Sequence, residues 1–193
     1  MKTISVAGAT SKAGKSLLAE QLIRYCAARH SPVCAVKFAT KPETDTPFRI
    51  ITDPLILTRE ETSTRRFLDA GAGMALWVTS SSAAVDPAYR ELMRLIPDKA
   101  LVVMEGSAVT SCCNPDLLFY VFAAHIPRRN WKESAAEISA RSDFIVRNVV
   151  ASESQRPELM SVGCTHSVDL SRVNIVEIPE IRDRMNSLIR SLQ

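Results

Sequence analysis

No apolar run in this 193-residue sequence reaches the roughly 18 residues that a membrane-spanning helix needs, so no helical span is expected. The opening residues, MKTISVAGAT, lack a basic segment followed by a long apolar stretch, and a secretory leader is not expected either. Neither sign of charge dominates. The 24 Lys and Arg against 21 Asp and Glu leave a net charge of +3, scattered along the chain. That excess is too small for a nucleic-acid surface but leaves room for a local basic pocket. Cysteines number five, an odd count without an export signal, which points to reduced thiols and a cytoplasmic protein. No CxxC or CxC spacing occurs, and nothing beside His30, His125 or His166 marks a general base. Repeats, low-complexity tracts and linkers are also missing, so one domain over residues 1–193 is expected.

What is present is an alternation of apolar runs of strand length with helical patterns. Strands are expected at 2–7, 33–38, 74–79, 100–105, 117–123, 144–149 and 173–178. Helices are expected at 15–29, 60–70, 87–96, 131–141 and 181–192. The Pro- and Thr-rich stretch TKPETDTPFR reads as a long loop. Near-continuous apolar strands alternating with helices predict an α/β fold, a mostly parallel central sheet covered by helices on both faces.

Such a sheet binds ligands beyond the carboxyl ends of its strands. The stretch GATSKAGKS lies there, between the first strand and the first helix. Lysine and serine at its end, after a glycine, have the spacing of a phosphate-binding loop. The residues expected to contact a nucleotide are Ala9, Thr10, Ser11, Lys12, Ala13, Gly14, Lys15, Ser16 and Leu17. Backbone N–H groups would wrap the β-phosphate, Lys15 would reach the β- and γ-phosphates, and the Ser16 hydroxyl would bind Mg²⁺. The usual first glycine is replaced by Ala9, a small change if its φ is negative, with Gly8 one residue earlier. Lys12 reads either as a cation for the leaving group or as a solvated side chain. In the dimeric KGGxGK[ST] variant of the loop the signature lysine falls where this chain has Thr10, so Lys12 does not match it.

A phosphate-bound Mg²⁺ needs further oxygen ligands. Glu105 ends the apolar run ALVVMEG, where an acid is costly to bury without a cation. Asp53 and Asp45 follow the second strand and are candidates to approach the metal or polarise water, Asp53 being also an ordinary turn starter before Pro54. Lys37 ends the second strand and is a candidate to bind a substrate anion. Asn148 ends the strand FIVRN, where a nucleotide base commonly sits, but no N-K-x-D motif follows to select guanine over adenine.

These parts together resemble the P-loop family that includes molybdopterin-guanine dinucleotide biosynthesis protein B and, more distantly, dethiobiotin synthetase. The resemblance covers about the first 150 residues. It rests on GATSKAGKS, the lysine in AVKFAT, the segment STRRFLDAGAGMALWV, the strand ALVVMEG and FIVRN. That family has an Asp-Ser/Thr-x-Arg stretch before an Ala-Gly-Ala turn. Thr64, Arg66 and Ala70-Gly71-Ala72 match it, while Ser63 stands at the acid. The resemblance implies the three-layer P-loop NTPase fold, Mg²⁺ near Glu105, a substrate-facing Lys37, and a dimer.

The expected function is therefore a Mg²⁺-dependent hydrolase of ATP or GTP acting in cofactor biosynthesis, with Lys15, Lys37 and Glu105 as catalytic residues and Ser16, Glu105 and Asp53 on the metal. One alternative is a kinase or ligase that activates a small-molecule acceptor held by Lys37 and the loop after it. Another is a nucleotide-switched binding module or metallochaperone, the latter using Cys112 and Cys113, with Cys164 and His166 too far along the chain to be joined to them from sequence.

Overall fold

A computed structural model of the chain describes residues 1–41, 46–149 and 166–192. Its centre is a sheet of eight strands among the described residues: β1 (Lys2–Gly8), β2 (Val33–Thr40), β3 (Phe48–Ile51), β4 (Met74–Ser80), β5 (Leu101–Glu105), β6 (Leu117–Ala123), β7 (Phe144–Asn148) and β8 (His166–Val168). The order across the sheet is β3-β4-β2-β5-β1-β6-β7-β8, and every pairing is parallel except β3 with β4. The helices are α1 (Lys15–Ala27), α2 (Pro54–Leu57), α3 (Ser63–Asp69), α4 (Val85–Leu95), α5 (Ala135–Ala140) and α6 (Pro179–Arg190). None of the described helices is long and apolar enough to cross a membrane.

Because side chains alternate along a strand, each strand feeds two cores. Val33, Ala35, Leu101 and Val103 pack with Leu18, Leu22 and Ile23 of α1, Phe67 of α3 and Met185 of α6. Their neighbours Cys34, Val36, Val102 and Met104 pack on the opposite face with Ala88 and Leu92 of α4. Leu118, Tyr120 and Phe122 meet Ile138 of α5. Both faces of the sheet are thus covered, which is why the strands read as continuous apolar runs rather than alternating ones. The expected α/β class with a mostly parallel sheet is what the chain adopts.

Four expectations change. Residues 173–178 do not form a strand: Ile175–Glu177 is a 3-10 turn, capped where the Asn174 side chain accepts from the Val176 N–H. Ile175 and Val176 are apolar because they pack against the α1 core, and the Ile175 N–H goes to the Gln21 side chain instead of a sheet neighbour. The last strand is β8, only three residues long. The stretch read as a long loop contains the start of β3, an antiparallel edge strand. The helices at 60–70 and 131–141 are shorter: α3 starts at Ser63 behind a Thr62 cap on the Arg65 N–H, and Trp131 is extended, ahead of α5.

Candidate functional site

The carboxyl ends of β1, β2, β5 and β7 gather most of the residues singled out in the sequence. The same alternation that buries Ala35 and Val103 against α1 directs Lys37 and Glu105 toward that face, and the two are register partners on adjacent strands. Their side chains form an ion pair, Lys37 Nζ to Glu105 Oε2. Glu105 is 1% exposed, so its carboxylate has left water and needs compensating partners. The Ser16 hydroxyl, in the first turn of α1, donates to the same Oε2 at 3.0 Å. Ser16 Oγ also lies 3.1 Å from Ser63 Oγ at the start of α3. The serine standing at the family's acid is therefore a direct neighbour of the expected metal ligands.

Above this cluster runs the segment from Ala9 to Ser16. Among the described residues, the backbone N–H groups from Thr10 to Leu17 donate to no other protein group. A run of unpaired donors leading into a helix N-terminus is an anion-binding surface. The Thr10 hydroxyl is likewise buried without a hydrogen-bond partner. Gly14 has φ 106° and ψ 10° as the cap of α1, and a Cβ there would come within 2.6 Å of Asn148 Nδ2. Gly8 is bound by close approach: a Cβ would meet the Val121 carbonyl at 2.8 Å and the Lys15 stem at 2.9 Å. Ala9 has no positive φ and buries its methyl group beside α5. The departure from the usual pattern therefore costs the loop nothing.

Lys15 is 7% exposed and its ammonium folds back onto the Thr10 carbonyl. Burial lowers its pKa to about 8; Glu105 opposes that shift, and Lys132 and Lys37 add to it. Lys132 was not a candidate from sequence. Its backbone N–H donates to the Ala9 carbonyl at 3.0 Å, and burial and Lys37 depress its ammonium while Glu105 raises it. Three lysines thus converge on one carboxylate, and Ser11, Lys15, Lys37, Glu105 and Lys132 line a cavity of about 190 Å³. Ser107 was also missed. Its hydroxyl accepts from the Gly8 N–H at 3.1 Å and donates to the Gly8 carbonyl at 2.9 Å, clamping the start of the loop. A second cavity of about 320 Å³ shares Thr40, Ser107 and Lys132 with the first and extends to Ser82, Thr110 and Ser134.

The remaining candidates fall elsewhere or act differently. Asn148 donates its amide to the Ala13 carbonyl at 3.3 Å and accepts the Leu170 N–H at 3.2 Å, so it ties the loop to the segment after β8. Lys12 is exposed on the loop, and Leu17 is half-buried against the α1 core. Asp53 is exposed and caps α2 by accepting the Leu55 N–H at 2.9 Å. It follows β3, three strand positions from β5, or roughly 14 Å at the spacing of a sheet, and the structure does not bring it to Glu105. Asp45 and Cys164 lie outside the described residues.

Cys112 and Cys113 pack in the core under α4, where burial pushes the Cys112 thiol up to about 11 and the Cys113 thiol up as well. Protonated thiols are poor soft-metal ligands. No cluster of three or more His, Cys, Asp and Glu able to hold a metal occurs among the described residues. A cation at this site would instead take hydroxyl and carboxylate oxygens from Ser16, Glu105 and Ser63, a hard-donor set that suits Mg²⁺ completed by phosphate oxygens and water. No protein-family model matches the chain, and no curated protein matches it.

Proposed function

We propose that this chain is a Mg²⁺-dependent P-loop protein that binds ATP or GTP and hydrolyses it or transfers its phosphoryl group, as the resemblance to the biosynthesis protein B family implies. The observation that carries the reading is the run of unpaired N–H donors from Thr10 to Leu17, directly above the Ser16–Glu105–Lys37 cluster. The donors face a polyphosphate; Lys15 leaves the Thr10 carbonyl to neutralise phosphoryl oxygens, and its positive charge develops its full effect in a water-poor pocket. Mg²⁺, when bound, would supply neutralisation of the phosphate charge. Ser16 and Glu105 would hold it, with the Ser63 hydroxyl beside Ser16 as a further oxygen donor.

Lys37 pairs with the Glu105 carboxylate and would place its ammonium beside the reacting groups. A second reading, transfer to a small acceptor, is favoured by the adjoining cavity of about 320 Å³, whose mouth holds Lys132, Thr40 and Ser107. Turnover that requires an added metabolite selects this reading, and turnover without one selects hydrolysis. Work in cofactor biosynthesis as a homodimer is the setting the family resemblance suggests, and the cysteine usage favours the cytoplasm.

The decisive test is Lys15→Ala in equilibrium binding of Mg·ATP and Mg·GTP. Loss of a charge-assisted contact worth about 2–3 kcal/mol predicts binding weaker by about a hundredfold. Retained affinity overturns the reading.

A further inference from the structure

A cavity of about 560 Å³ opens on the far half of α1, between that helix, the 170–174 segment and the start of α6. It shares no lining residue with the Lys15–Glu105 cavity, and Arg24 lies nine residues along α1 from Lys15, about 14 Å at helical rise. Four arginines line it, Arg24, Arg29, Arg172 and Arg182, against the single acid Glu177.

Part of this charge is balanced within the protein, Arg24 acting through space on Glu20. Among the described residues, neither Arg24 nor Arg182 forms an ion pair, and Arg172 meets Asp169 only at 3.5 Å. Arg29 stacks its guanidinium 3.7 Å from the Tyr25 ring centroid and donates Nη1 to the Tyr25 carbonyl at 3.2 Å, contacts that fix the plane of the group at the cavity wall. The walls are held in place. The Gln21 amide donates to the Leu170 and Val173 carbonyls at 2.8 and 3.1 Å and its oxygen accepts the Ile175 N–H at 2.7 Å, while the Tyr25 hydroxyl donates to Asn186 at 2.6 Å. A concavity of this volume, with four arginines in its lining and its walls held by these hydrogen bonds, has the size and charge of a small-anion site.

We infer that this cavity binds a small polyanion bearing two or more phosphate or carboxylate groups, at a site separate from the 9–16 loop. The inference is independent of the nucleotide chemistry proposed above. Leu170 gives the site a physical connection to that loop, since its N–H is held by Asn148, whose amide holds Ala13.

Calorimetric titration of the full chain with pyrophosphate is the test. Wild type is expected to show the arginine class, which Lys15→Ala keeps; a second class that Lys15→Ala loses belongs to the 9–16 loop, and its absence overturns only the function proposed above. The double variant Arg172→Gln/Arg182→Gln, both exposed positions, weakens the arginine class at least tenfold and leaves the Lys15-dependent class. The control Arg90→Gln/Arg94→Gln removes equal charge from the exposed face of α4 and leaves both classes intact. A single class lost in Lys15→Ala overturns the inference, as does equal weakening in the control. Titration with citrate separates the sources: affinity equal to that of pyrophosphate assigns the site to multivalent anions in general, and a tenfold preference for pyrophosphate assigns it to phosphates.

Discussion

Lys15 is held near the point where its charge is lost. With a pKa lowered to about 8, chiefly by burial, it is mostly protonated at pH 7 and mostly neutral at pH 9. A bound polyphosphate favours the charged form, so binding above pH 8 must take up a proton. Affinity is therefore expected to fall by up to about tenfold per pH unit above 8, with proton uptake read from calorimetry in buffers of different ionisation enthalpy. The stability sign runs the other way. The unfolded chain keeps its lysine protons up to about 10.5, so between pH 8 and 10.5 it binds more protons than the folded one, and this group's contribution to stability rises with pH. Gly14 gives a second residue-level expectation. Gly14→Ala forces a side chain to φ 106° and against Asn148, costing about 1–3 kcal/mol, which a urea midpoint will register together with weakened nucleotide binding. Sequence made Lys15, Ser16, Lys37 and Glu105 visible because each ends or follows an apolar strand. Ser107, two residues past Glu105, and Lys132 belong to no motif, for each reaches the loop through tertiary contacts with Gly8 and Ala9 that no local spacing encodes.

At the scale of the element, α3 is the instructive case. Its first residue, Ser63, touches Ser16, although the helix is more than forty residues downstream in sequence. The signal was present in the STRRFLDAGAG stretch, but only the fold shows that the acid's substitute still faces the site. An acid introduced at Ser63 is expected to have opposite effects with and without Mg²⁺. Ser63→Asp introduces a carboxylate beside buried Glu105, so the free protein should melt lower. With nucleotide present, the Mg²⁺ concentration for half-saturation should fall several-fold, because a second carboxylate strengthens a hard-cation site. Differential scanning fluorimetry with and without Mg²⁺ separates the two effects. The element misread at 173–178 has its own physical reason. A run of Val, Ile and Val looks the same whether its burial is against a sheet neighbour or against a helix, and here α1 and Gln21 claim it.

Across the whole molecule, the order β3-β4-β2-β5-β1-β6-β7-β8 puts β1 in the interior between β5 and β6, with the α1 core above it. The site therefore rests on the most enclosed strands, while β3 and β8 close the two edges. Amides of β1, β5 and β6 are expected to exchange hydrogen only through global unfolding, with β3 and β8 exchanging earlier through local opening; deuterium uptake measured by mass spectrometry ranks them. The interior strands were legible in sequence for the same reason they are protected: burial on both faces makes them uniformly apolar. The edges were not. β3 is half-exposed with a charged Arg49, and the three residues of β8 are too short to show a period.

Gly8 has a consequence for how such loops should be recognised. The space its missing side chain leaves is filled by the methylene stem of Lys15, so the lysine's path is routed past it as a cable through a gap. The steric demand for glycine belongs to that gap rather than to a fixed place in the motif. In this chain the gap lies at Gly8, and Ala9, without a positive φ, carries its methyl group in the core beside α5. A search template written as an unfilled volume beside the lysine stem, instead of a letter at a spacing, would treat this loop as ordinary.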